Sequence, residues 1–206
     1  MRDDIRAVVW DMGGILYETP FEALGQVEEQ HGWAKGVLPR GPFSKEGDSE
    51  YRKCSTGELS ESRYWADYQE ASRARGYPIN LKTEIDWTDR VRPGVMSTIE
   101  TLGKQYRQAT LSNDSSEWLG VGWWESWPYA HLFEQVIDVV TLGFRKPDPR
   151  TYLTVAERLA LEPSQCLFVD DMEVNIKGGE AVGMPGLFFD HTRVRESCDR
   201  LLDLLL

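Results

Sequence analysis

The stretch that most constrains the fold is Ala7-Val8-Val9-Trp10-Asp11-Met12-Gly13-Gly14-Ile15-Leu16. A short apolar run stops at one carboxylate, and a glycine pair follows at once. The run is too short for a helix and reads as a buried strand. The glycines let the backbone turn sharply and approach something small. Asp11 is therefore expected at the C-terminal tip of a core strand, where open α/β sheets place their ligands. The plainer reading is a turn that carries a solvated Asp. Only the rest of the chain separates the two.

Four further runs read as strands, at residues 108–112, 136–140, 165–169 and 186–189. Helical periodicity lies between them. Pro93 suits a first helical turn, and Val95, Ile99 and Leu102 fall on one stripe behind it. Residues 149–160 repeat the pattern, and Val194, Cys198, Leu201, Leu202 and Leu205 share a face near the C-terminus. Strand and helix in alternation imply right-handed crossovers and a parallel five-stranded sheet, hence a three-layer, Rossmann-like α/β domain. From about Phe21 to Arg90 the apolar runs disappear and helical spacing takes over. Pro39, Gly41, Pro42 and Gly47 mark a loop, and Ser60 is placed to cap a helix running to Ala74 and ending at Gly76. This block reads as a helical insert. At 206 residues the chain accommodates one domain plus such an insert.

The net charge of −11 argues against nucleic acid and anionic membrane as partners. A small anionic substrate remains compatible, because a local site can be positive on an acidic protein. Cys54, Cys166 and Cys198 are scattered and odd in number, which suggests reduced thiols in a cytoplasm. The first residues, Met1-Arg2-Asp3-Asp4, lead into no signal-peptide core, and no apolar run is long enough to cross a bilayer.

Polar residues stand at four strand ends: Asp11; Ser112-Asn113-Asp114; Arg145-Lys146-Pro147-Asp148-Pro149; and Asp170-Asp171, with Asn175 beyond. In a parallel sheet these ends share one edge. Clustered carboxylates repel unless a cation is present, so a hard divalent ion such as Mg²⁺ is the natural occupant, and Mg²⁺ recruits phosphate. Lys146 and Ser112 would then hold phosphate oxygens, and cation and lysine would offset charge during phosphoryl transfer.

In this order the four motifs (Asp-x-Gly-Gly, Leu-Ser-Asn, Arg-Lys-Pro-Asp-Pro, Val-Asp-Asp-x-x-x-Asn) resemble those of the haloacid dehalogenase superfamily over essentially the whole chain. The detail is most similar to the branch of sugar-phosphate phosphatases and the N-terminal phosphatase domain of epoxide hydrolase. The resemblance implies a core domain of residues 1–16 and 91–206 with a helical cap at 17–90. It implies a hydrolase of small phosphorylated substrates. Asp11 would be the nucleophile, passing through an aspartyl-phosphate. Ser112 and the Asn113 backbone would bind phosphate, and Lys146 would link Asp11 to it. Asp11, Asp171 and the Gly13 carbonyl would ligate Mg²⁺, with Asp170 as a further ligand or as the orienter of metal-bound water.

One departure is marked. Most phosphatases of the superfamily carry a second Asp two residues after the nucleophile, as general acid and base. Here that position is Gly13, and losing such a group costs on the order of 10²–10⁴-fold. Glu18 or His31 could substitute, or the leaving group could need no acid. Dehalogenases of the superfamily also lack that Asp, so a 2-haloacid dehalogenase is an alternative. Their fourth motif is typically Ser-Asn-x-x-Asp, however, and Asp170-Asp171 favours a metal. A phosphate-binding protein with a degenerate site is the non-enzymatic alternative.

Trp118, Trp123, Trp124, Trp127 and Tyr129 lie between the second and third strands. They read as core cover, as a homodimer contact or as a wall of the site mouth. Trp33, Tyr64, Trp65, Tyr68 and Trp87 fall in the insert, facing substrate or, more simply, packing its helices. His131 and His191 show no partner in the sequence and are read as structural or exposed.

Overall fold

The computed structural model describes residues 4–206. Met1, Arg2 and Asp3, on which the expectation about a signal peptide falls, lie outside the described residues. The elements in chain order are β1 (Ala7–Trp10), α1 (Pro20–Gln30), α2 (Ser49–Thr56), α3 (Glu61–Ala74), α4 (Leu81–Glu84), α5 (Pro93–Leu102), β2 (Arg107–Ser112), α6 (Ser115–Leu119), β3 (Gln135–Asp138), α7 (Pro149–Arg158), β4 (Cys166–Asp170), α8 (Glu173–Glu180), β5 (Gly186–Phe188) and α9 (Val194–Leu205). The chain divides into two compact units. One holds the described residues up to Tyr17 together with Val91–Leu206, and the other is Glu18–Arg90.

The first unit is a five-stranded sheet in the order β3-β2-β1-β4-β5, with every pairing parallel. Strand β1 is central, and all four of its residues are buried. Period-two alternation sends its side chains to opposite faces. Val8 and Trp10 join a core with Val95, Ile99 and Leu102 of α5 and Leu201 and Leu205 of α9. Ala7 and Val9 join the opposite core with Tyr152 and Val155 of α7 and Ile176 of α8. Helices thus cover both faces, giving the α/β three-layer, Rossmann-like arrangement. The one polar atom of Trp10 is satisfied, its Nε1 donating to Gln108 Oε1 at 2.7 Å. From β1 the strand order proceeds through β2 to β3 and then restarts on the other side with β4. The reversal falls between β1 and β4, the place where such sheets hold ligands.

Strand β3 is shorter than the apolar run 136–140 implies. It stops at Asp138, whose Oδ1 accepts from Val140 N at 2.9 Å and bends the chain into a helical turn. Its Oδ2 accepts from Ser115 Oγ and Ser116 N, tying this strand end to α6. Strand β4 runs one residue further than expected, so Asp170 belongs to the strand itself. Among the tryptophans after β2, Trp123 and Trp127 are buried, with Trp127 stacked on Phe133 at 5.4 Å and on Tyr17 at 6.3 Å. Trp124 is 38% exposed, so the cluster is core cover only in part.

The second unit is helical, and each helix start has a chemical cause. Glu22 accepts from the Thr19 backbone N–H and hydroxyl at the head of α1. Asp48 accepts from Glu50 N and Tyr51 N at α2, and Ser60 accepts from Arg63 N at α3. Helix α2 is an addition to the sequence reading. Its centre is aromatic: Phe21 lies 4.8 Å from Trp65, 5.2 Å from Tyr51, 5.9 Å from Tyr64 and 6.1 Å from Tyr68. Tyr64 and Tyr68 donate their hydroxyls to Asp48 and to the Pro39 carbonyl, both at 2.7 Å. Tyr64, Trp65 and Tyr68 therefore pack the interior of this unit. Among the described residues no helix is long and apolar enough to cross a membrane.

Candidate active site at the carboxyl edge of the sheet

The register of β1 sets the site. Trp10 lies opposite Thr110 of β2 and Val169 of β4. The next residue, Asp11, donates its backbone N–H to Val169 O at 2.9 Å. Asp11 is thereby held beside Asp170 at the reversal of strand order. After it the chain turns. Gly13 is extended (φ −64°, ψ 137°), whereas Gly14 is left-handed (φ 73°). A Cβ at Gly14 would collide with the Asp171 carboxylate, while a Cβ at Gly13 would meet nothing within 4 Å. Only Gly14 is required by the turn.

Lys146 stands between two of the carboxylates. Its Nζ is 2.7 Å from Asp11 Oδ1 and 2.7 Å from Asp170 Oδ2. It is 4% exposed, so the lysine and its partners are out of water. The sequence paired Lys146 with Asp11 only, and Asp170 is a second partner. The backbone of Lys146 is also held. Asn113 Oδ1 accepts its N–H at 2.7 Å, and Asn113 Nδ2 donates to its carbonyl at 3.2 Å. The Asn113 side chain thus pins the lysine loop to the end of β2. Ser112 Oγ accepts from Ser115 N at 3.1 Å at the start of α6. Asp170 is fixed further by Met172 N at 2.8 Å and Asn175 Nδ2 at 3.0 Å. Tyr152 in turn donates to the Asn175 carbonyl at 2.7 Å.

Burial dominates the electrostatics. It pushes the Asp11 carboxyl well above its ordinary value, with Lys146 opposing and Asp170 and Asp171 adding to the rise. Burial likewise raises Asp170 against the pull of Lys146. For Lys146, burial works downward, but Asp11 and Asp170 together outweigh it and hold the ammonium charged. Lys146 meets two of the three buried carboxylates, Asp11 and Asp170, while Asp171 is met by His191.

Asp11, Asp170 and Asp171 each offer an oxygen, all within 4.8 Å of one another. An all-oxygen, negatively charged and buried donor set fits a hard divalent cation, which takes carboxylate oxygens and favours the ionised acids. Gly13 can contribute only its carbonyl.

One group at this edge escaped the sequence reading. His191 is buried, and its Nδ1 lies 2.9 Å from Asp171 Oδ2. It is neither exposed nor a bystander. It follows β5, the fifth strand to end on this edge. The two candidates for proton transfer, Glu18 and His31, are engaged locally. Glu18 pairs with Arg90 at 2.6 Å. His31 pairs with Glu84 and stacks on Trp33 at 4.2 Å. His131 is exposed, with Nδ1 2.8 Å from the Pro128 carbonyl.

Known proteins resemble this chain to different depths. A phosphoglycolate phosphatase of Pseudomonas putida is 30% identical over 95 residues, 46% of this chain and 35% of that protein. The crystal structure of a dehalogenase matches with a TM-score of 0.68 at 20% identity, covering 100% of this chain and 99% of that one. A family enzyme of Bacteroides thetaiotaomicron, solved as a variant with magnesium and inorganic phosphate, matches with a TM-score of 0.50 at 17% identity, covering 91% and 95%. At such identities the two structures share the fold with this chain. The chain spans about a fifth to a third of the length of the curated relatives it matches. The model of the haloacid dehalogenase-like hydrolase family matches residues 5–183. With the parallel sheet and its acidic carboxyl edge, that match makes the chain a member of the haloacid dehalogenase-like hydrolases.

Proposed function

We propose that the protein is a Mg²⁺-dependent phosphatase of small phosphate monoesters, with Asp11 as nucleophile and residues 17–90 serving as a helical cap. The observation that carries this reading is the surplus of buried carboxylate: Asp11, Asp170 and Asp171 offer oxygens within 4.8 Å of one another, with Lys146 meeting Asp11 and Asp170. A dehalogenase working without a metal has no use for that surplus. Bound Mg²⁺ would supply the positive charge that draws phosphate in and stabilises charge on its oxygens. Asp11, Asp170, Asp171 and the Gly13 carbonyl would hold it.

Asp11 attacks phosphorus through a carboxylate oxygen, and the ester P–O bond breaks, leaving an aspartyl-phosphate and the departing oxygen. Ser112, the Asn113 backbone N–H and Lys146 hold the transferred group. Water then attacks phosphorus, the Asp11 O–P bond breaks, and inorganic phosphate leaves while the water's proton passes to it or to solvent, regenerating the Asp11 carboxylate. Gly13 has no proton to give, so the leaving oxygen departs as an anion or takes its proton from solvent. Good leaving groups such as aryl oxygens are favoured. The P. putida relative supports a phosphorylated substrate. The free thiols Cys54, Cys166 and Cys198, all buried, are in keeping with a cytoplasmic setting.

The decisive measurement is turnover of p-nitrophenyl phosphate with Mg²⁺. Asp11→Asn is expected to lower it on the order of 10⁴-fold or more. EDTA should abolish it, and added Mg²⁺ should restore it. Activity that persists in EDTA would overturn the metal-dependent reading. A second reading, a 2-haloacid dehalogenase, draws on the missing side chain at Gly13. It predicts halide release from a 2-haloacid that EDTA leaves untouched.

A further inference from the structure

We infer that His191 is a positioning residue for the cation site, acting through Asp171. The inference rests on the metal-dependent reading above. Its basis is the contact at the ends of β4 and β5. These strands are neighbours in the sheet, and Asp170 lies opposite Phe188 in their register. Asp171 and His191 therefore leave the sheet at the same edge. The two side chains are 6% and 7% exposed, and Nδ1 lies 2.9 Å from Oδ2. His191 lies outside the group of carboxylates whose oxygens can share one ion. It meets one member of that group, Asp171.

The other ligands each have a separate restraint. Asp11 is held by Lys146, and Asp170 by Lys146, Met172 N and Asn175. Around Asp171, Gly14 closes one side, since even a Cβ there would strike the carboxylate. His191 meets the same Oδ2 atom. A carboxylate boxed at one oxygen cannot rotate freely, so it meets a cation in one orientation. Partners of this kind hold ligands in place, and their loss typically weakens metal binding about 10–100-fold.

The test is Mg²⁺ affinity of the full chain, measured by calorimetric titration with MgCl₂ alone, without substrate. His191→Phe keeps a ring but removes the polar contact. His191→Asn places an amide nitrogen near the position of Nδ1. The expected result is a 10–100-fold weaker Mg²⁺ affinity for Phe, with most of the loss recovered in Asn. Should the Phe variant fail to fold, His191→Ala is read against Asn in the same way. Equal affinity in wild type and Phe, or an equal loss in Phe and Asn, overturns the positioning role. Failure of the wild-type chain to bind Mg²⁺ at all removes the metal-dependent reading and the positioning role with it, a result distinct from any difference among variants.

Discussion

Each of the two units buries carboxylate, and they treat it in opposite ways. In the helical unit Glu28 is 1% exposed, yet its two oxygens accept from Gly36 N, Leu38 N and Arg40 Nη2 at 2.9, 2.9 and 2.5 Å. One charge meets three donors, and the loop after α1 is tied down as a result. At the sheet edge three carboxylates gather, two of them share one lysine, and burial raises those two against its pull. A satisfied buried charge is architecture. A surplus held in place by surrounding structure is capacity for a ligand.

The sharpest way to break this contrast is at Lys146. Lys146→Met keeps the volume and removes the ammonium between Asp11 and Asp170. Stripping one partner from a buried ionic group costs about 3–5 kcal/mol, read as a lower midpoint in urea unfolding without metal. Mg²⁺ should recover part of that loss, because it supplies charge to the same carboxylates. An unchanged midpoint would mean that the cluster carries no strain of charge at all.

Glu28→Gln asks the same question of the helical unit. It keeps the Oε1 acceptor for the Leu38 N–H but leaves the Gly36 N–H and Arg40 short of a partner, at a cost of about 1–3 kcal/mol. Here Mg²⁺ should recover nothing. If Mg²⁺ rescues both variants equally, the division between satisfied and surplus charge fails.

The legibility of the two units in the sequence follows the same line. Strand ends were readable because apolar runs such as Ala7–Trp10 stop abruptly at polar residues. Parallel topology then collects those ends on one edge without any knowledge of side-chain contacts. Helix α2 was not readable, since its sequence Ser-Glu-Tyr-Arg-Lys-Cys-Ser-Thr offers only Tyr51 and Cys54 to a core. It is made by its ends, Asp48 as N-cap and left-handed Gly57 at the close. His191 was missed because a lone histidine has no spacing signature, and its partner is set by the β4–β5 pairing. The double hold of Lys146 was equally hidden, because contact distances decide it. So was the Asn113 clamp on the lysine backbone, which needs a loop from one strand to meet the end of another.

The smallest effects separate two adjacent glycines and bear on the missing acid. Gly14→Ala forces a left-handed residue with a Cβ into the space of the Asp171 carboxylate. The backbone alone costs about 1–2 kcal/mol, and the displaced carboxylate should weaken Mg²⁺ binding as well. Gly13→Ala meets neither obstacle. Its φ and ψ suit any L-residue, the position is exposed, and a Cβ has open space. Restricting the unfolded chain should then stabilise the protein by about 0.4–1 kcal/mol, seen as a small rise in Tm, with Mg²⁺ affinity unchanged. That outcome would show that glycine at 13 answers no demand of the fold, so its lack of a proton-transferring side chain is a property of the site's chemistry. A loss of stability would instead make Gly13 a conformational residue like its neighbour, and the missing acid a by-product of the turn.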